Sequence, residues 1–261
     1  MKKYFRVWKQ LAVMASESYM SNRIEYGSYF LGKIIRFCFL MLMIAAIFSH
    51  TGNMAGYTKY QVIIFFLTSF LIDTLGQAAF RGVYLFREDV RQGNFDYTIS
   101  KPLNSLFLVL SRLPDFLDVI FIFPLVAFLF YAFSKLDIFY NPQLLAYYPV
   151  FLMLSFLMVA GIHVISVTLT MWTMESESFI WVLRNTTFLS LFPPEVYSGS
   201  IQLFFTFVFP IIVIFAFPAK VLLGLLTLKM ALVALAMTFV FFGGSLLLWK
   251  TGLKHYSSAS S

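Results

Sequence analysis

The sequence predicts an all-α polytopic membrane protein. Six transmembrane helices follow an N-terminal amphipathic interfacial helix, and one long cytoplasmic loop interrupts them. Three observations carry this expectation. The 261 residues are 60% hydrophobic and only 12% charged, with a mean hydropathy of +0.83. A soluble chain is about 45–50% apolar and about 25% charged, and charges this sparse cannot cover a globular surface. Apolar runs of about 20 residues, enough to cross about 30 Å of hydrocarbon, recur along the chain. Finally, the cations stand beside these runs and are distributed asymmetrically, which orients the spans.

The elements follow in order. Over residues 4–19, Phe5, Trp8, Leu11, Ala12, Ala15 and Tyr19 recur at steps of three and four, opposite Lys2, Arg6, Lys9, Ser16 and Glu17. A basic face beside an aromatic-rich stripe belongs at the headgroup level. Residues 1–26 show no apolar core ahead of a small-residue cleavage site, so no cleaved signal is expected. The first span is 28–49, with Lys33 and Arg36 near its start, where long cations snorkel to the interface. The uncharged turn 50–57 leads to the second span, 58–80. The polar stretch 81–112 carries Arg81, Arg87, Arg91, Lys101 and Arg112 against Glu88, Asp89 and Asp96, a net +2.

The third span is 113–134; Asp115 and Asp118 in its first turns suit a helix N-terminus. The fourth is 148–171. The last is 230–249, anchored by Trp249, Lys250 and Lys254. Two arrangements fit the part between. In the adopted one, Glu175 to Phe192 is the fifth span and 193–228 is a Pro-rich re-entrant segment on the external side. In the other, 200–218 is the fifth span. Both give six crossings with both termini cytoplasmic, because the N-terminal cations and the 81–112 loop share one side. The organisation is therefore 1–26 interfacial, 27–250 transmembrane and 251–261 a cytoplasmic tail.

Several chemistries are excluded. Cys38 is the single cysteine, so no intrachain disulfide forms. His50, His163 and His255 are far apart in sequence, and no zinc spacing or GxSxG occurs. Gly27 to Ile34 resembles a P-loop but ends in Ile34, where a hydroxyl must reach magnesium. A basic chain suggests nucleic acid, but these cations flank apolar runs. Asp73 in the second span, His163 in the fourth and Arg184 in the fifth are intramembrane polar candidates, since ionisable groups at depth are costly. The 33 phenylalanines fit either lipid-facing filler or an aromatic cavity.

The stretch Val90-Arg91-Gln92-Gly93-Asn94-Phe95-Asp96-Tyr97, continued to Lys101-Pro102, resembles the loop after the second span of ABC-2-type transporter permeases. Phe192-Pro193-Pro194, Phe209-Pro210 and Phe217-Pro218 resemble the family's Pro-rich region, and Gly252 to Ser260 is similar to the tail of a small six-span branch. The resemblance covers nearly the whole chain. It implies the permease subunit of an ATP-driven exporter of amphiphilic or hydrophobic cargo. A cytoplasmic ABC ATPase would hold ATP and Mg, and a second permease chain, identical or not, would complete the assembly in the cell membrane. This chain itself would bind no cofactor or metal and would be no enzyme.

On this reading 81–112 is the coupling loop. Asp89, Arg91, Asp96 and Lys101 supply rim charges, and Val90, Phe95, Tyr97 and Ile99 supply anchors buried in the ATPase. Gly93 breaks the loop helix and Pro102 ends it. The alternatives are a membrane-embedded lipid-modifying enzyme using Asp73 and His163, or an ion-coupled carrier.

Overall fold

The computed structural model describes residues 2–136, 138, 141–173 and 177–256, without the side chains of 18–20, 177–179, 183 and 187. The tail beyond Tyr256 lies outside the described residues. Among these residues there are helices and one isolated bridge, Met54 to Tyr57, and no strand. The helices are α1 (Lys2–Ser21), α2 (Arg23–His50), α3 (Lys59–Phe80), α4 (Phe86–Arg91), α5 (Asn94–Ser100), α6 (Ser105–Leu110), α7 (Phe116–Ser134), α8 (Pro142–Thr173), α9 (Glu177–Thr186), α10 (Gly199–Phe207), α11 (Phe217–Leu222), α12 (Leu228–Thr238) and α13 (Gly244–His255).

Five units are long and apolar enough to cross a membrane: α2, α3 with its extension to Arg91, α7, α8, and the continuous Leu228–His255. The protein is an all-α polytopic membrane protein. The near-P-loop Gly27 to Ile34 lies inside α2, so its backbone N–H groups serve the helix and make no phosphate cradle.

The central pillar is α3, which is apolar on every face and therefore buried. Every residue from Val62 to Ile72 is buried. Phe37 of α2, Phe66 and Phe70 of α3 and Phe121 of α7 pack with ring centroids 5.4–6.0 Å apart. These phenylalanines knit α2, α3 and α7 together. A capping box between Thr58 and Gln61 starts α3, and Asp115 caps α7 by accepting from the Leu117 and Asp118 amides.

α8 is longer than expected, 32 residues or about 48 Å. It meets the last span backbone to backbone. A Cβ on Gly161 would sit 3.1 Å from the Phe241 carbonyl oxygen, and one on Gly252 would sit 2.6 Å from Thr168 Cγ2. Small residues allow such close crossings in lipid. Opposite Gly161 the last span widens into a π-helical turn, Phe239–Gly243.

The segment between α8 and α12 is the irregular part of the bundle. α9 continues as a 3-10 helix, Thr187–Leu191, giving a rise of about 25 Å together. It runs antiparallel to α3. Arg184 shares a recess with Asp73 and Gln77, the Ser69 hydroxyl donates to the Ser190 carbonyl at 2.8 Å, and Tyr57 hydrogen-bonds Glu195. The chain from 184 to 195 thus passes from the Arg81 end of α3 to its Lys59 end.

α10 and the stretch Ile212–Leu222 then meet at 88° around Pro210. The bend falls at Pro210 because a proline breaks the hydrogen-bond ladder, and a broken span over 200–218 and a re-entrant hairpin share this geometry. Every residue from Pro210 to Leu222 is buried. Protein atoms surround the irregular backbone, the condition under which it is tolerated at membrane depth.

Candidate functional site

The first candidate is the 81–112 loop. α4 stops at Arg91, Gly93 adopts φ +73° in the left-handed region, and α5 begins at Asn94. This kink turns α5 back onto the end of the last span. Phe95 is 1% exposed, packed at 4.9 Å on Phe86, 6.1 Å on Trp249 and 5.0 Å on Tyr256. Burial and the nearby Asp96 carboxylate push the Tyr256 hydroxyl up to about 12.

The sequence assigns Val90 and Phe95 to an intermolecular interface. The structure corrects both: they are buried within this chain, because an apolar anchor satisfies a neighbouring helix of its own chain as well as a partner. Tyr97, 72% exposed, and Ile99 point outward.

The charges divide in the same way. Asp89 pairs with Arg112 and so ties the loop to its own exit, rather than standing free at a rim. Arg91 pairs with Glu88 at 3.0 Å on the surface, and the Arg91 hydrogen bond lowers the Glu88 carboxyl. Lys101 is exposed. The carbonyl of Pro102 accepts from Lys3 Nζ at 2.9 Å, and Tyr4 meets Phe107 edge-on at 4.9 Å, so α1 is moored to the loop's end. A groove of about 330 Å³ lies here, lined among others by Leu11, Tyr97, Lys101 and Arg112. Trp249 and Tyr256 are partners that sequence reasoning missed; the Trp249 signal was read only as an interfacial anchor.

The second candidate lies between α2, α3 and α9. Asp73 and Arg184 line one recess of about 280 Å³ with Lys33 and Arg36. A neighbouring recess of about 390 Å³ holds Glu25, Arg81, Tyr84 and Trp181, and the two share Tyr29, Gln77 and Arg184. Arg184 is therefore not isolated at depth. Asp73 acts on it electrostatically, Tyr84 hydrogen-bonds it, and its guanidinium stands 5.3 Å from the Trp181 ring. Arg81 lies 4.3 Å from the Tyr29 ring and pairs with Asp115; Lys33 pairs with Asp118. Both of these aspartates are fully buried.

His163 does not line the recess. It is buried, with Nδ1 2.8 Å from the Val159 carbonyl oxygen and its ring 5.2 Å from Phe80. Sequence reasoning found Asp73 and Arg184 but not their wall of Tyr29, Lys33, Arg36, Gln77, Arg81 and Tyr84. The available signal was the run of polar and small residues at helical steps in α2, Glu25, Ser28, Gly32 and Arg36. Among the described residues no cluster could hold a metal ion.

The fold is an apolar helical bundle with a polar loop platform packed at one end. The profile of the ABC-2 family transporter proteins matches residues 34–260, and the chain belongs to that family. It is a multi-pass membrane permease of an ABC-type transporter, a transport subunit. No curated protein and no solved structure matches the chain.

Proposed function

We propose that this permease is the transmembrane subunit of an ATP-driven exporter that moves an amphiphilic or hydrophobic substrate outward. A separate cytoplasmic ATPase binds ATP and Mg, and a second permease chain, identical or a sister, completes the pathway. Both termini and the 81–112 loop are cytoplasmic, and 193–228 re-enters from the outside. The cations of the N-terminal segment and the loop support this orientation.

One observation carries the reading. Tyr97 and Ile99 stand outward on a helix whose other face is locked to the last span through Phe86, Phe95 and Trp249. A push received at Tyr97 is delivered to a transmembrane helix without slack. An enzyme built on Asp73 and His163 needs both in one recess, and the recess that Asp73 lines does not include His163.

The test is purification from a membrane carrying the chain and its ATPase. The expected result is a stable complex whose ATP hydrolysis drops when Tyr97→Ala removes the outward aromatic. Hydrolysis and complex formation unaffected by Tyr97→Ala and Ile99→Ala together would remove the loop from the coupling role.

A further inference from the structure

The paired recesses are more than a place to hide one arginine. Lys33, Arg36, Arg81 and Arg184 line them against Glu25 and Asp73. Two further carboxylates, Asp115 and Asp118, pair with Arg81 and Lys33 from positions with no exposure at all. The lining thus carries four cations against two acids, and the two further acids lie buried behind it. Ring faces of Tyr29 and Trp181 hold two of the guanidinium groups in place, so their donor edges are pre-set. Arg36 has no ion pair among the described residues and lies exposed at the mouth, 6.0 Å from the Phe70 ring.

The recess also has an open side. Glu25, Ser28, Gly32 and Arg36 follow one another at helical steps along one edge of α2, all exposed. A Cβ added at Gly32 would meet nothing within 4 Å. The same edge continues to Phe39, 66% exposed, where the charges stop and the apolar part of the helix begins. A ligand fitting this shape carries a compact anion at one end and an apolar body that can lie along α2.

We infer that the recess binds the phosphate group of an amphiphile taken from the cytoplasmic leaflet, with Lys33, Arg36 and Arg184 as its donors. Guanidinium pairs bind phosphate bidentately, and the low-dielectric surroundings strengthen each contact. Asp73 restrains Arg184 while the recess is empty, so the arginine exchanges a carboxylate for a phosphate without ever standing alone in lipid. The inference deepens the permease reading, since it makes this ligand the cargo or its headgroup. It is tested on the permease alone, so a failure of ATPase coupling and a failure of this site are read in separate experiments.

The experiment titrates the full-length chain, purified in a neutral detergent, with dioctanoyl phosphatidic acid, dioctanoylglycerol and inorganic phosphate. Native mass spectrometry and Trp fluorescence read occupancy. Saturable binding of phosphatidic acid, about tenfold or more tighter than dioctanoylglycerol, is expected from the charged contacts. Arg36→Gln, at an exposed position, and Gly32→Phe, which fills open space, should each weaken it by about tenfold while the melting temperature stays at the parent value. Inorganic phosphate binding as tightly as the lipid, and lost in the same variants, would support the phosphate site with a soluble phosphate ester as its source. Equal binding of dioctanoylglycerol would overturn the proposal. So would phosphatidic acid binding unchanged in both variants.

Discussion

Replacing Glu195 with Gln should loosen the broken hairpin that follows α9. Lys220 on α11 is 5% exposed, and its ammonium lies 2.5 Å from Glu195 Oε1. The same carboxylate hydrogen-bonds Tyr57 in the turn between α2 and α3. One acid thus ties three separate segments. Breaking a fully buried ion pair costs about 3–5 kcal/mol, because one charge is left uncompensated. The Glu195 side chain is 38% exposed, so water reaches that end. A charged hydrogen bond at about 1.5–3 kcal/mol is the better scale, and about 2 kcal/mol is expected.

For a chain of this size that is a fall in melting temperature of about 4–8 °C. The assay is thermal unfolding of the detergent-purified protein. Adding Lys220→Met to Glu195→Gln should recover most of the loss, since an apolar residue then replaces the orphaned ammonium. A single variant that melts with the parent, or a double variant that falls further than the single, refutes the clamp.

The remaining predictions concern the crossings and the loop. Gly161→Leu should prevent stable folding, because its side chain would enter the Phe241 backbone, whereas Gly199→Ala, with open space around its Cβ, should be neutral by unfolding. In a Cys38→Ser background, cysteines at Asn53 and Ser198, both exposed, should react with an impermeant maleimide from outside. Labelling of Ser198→Cys only after the cytoplasm is opened would reverse the proposed topology. Phe95→Ala should cost about 3–5 kcal/mol of stability as a buried aromatic truncation, while Tyr97→Ala should leave the melting temperature unchanged and lower ATPase co-purification. The opposite pattern would return Phe95 to the interface.

Much of this protein is legible one residue at a time. Composition, the length of apolar runs and the placement of cations are properties of the chain itself, and lipid reads them directly. α2, α3, α7, α8 and the last span therefore fall where hydropathy puts them. Pro210 is legible too, because a proline disrupts its own helix whatever surrounds it. The bend at 88° follows the local rule.

Partnership is a different kind of property. Phe95 and Tyr97 stand two positions apart and carry similar side chains. One is 1% and the other 72% exposed only because α5 is folded against Trp249 and Tyr256, about 150 residues further along. Arg184 looks intolerable at depth until the fold sets it between two recesses, one lined by Asp73 and the other by Tyr84. Lys33 reads as an interfacial cation and Arg81 as a loop charge until α7 and its N-cap bring Asp118 and Asp115 behind them. Burial and charge compensation are set by distances between segments far apart in sequence, and those distances exist only once the helices have packed.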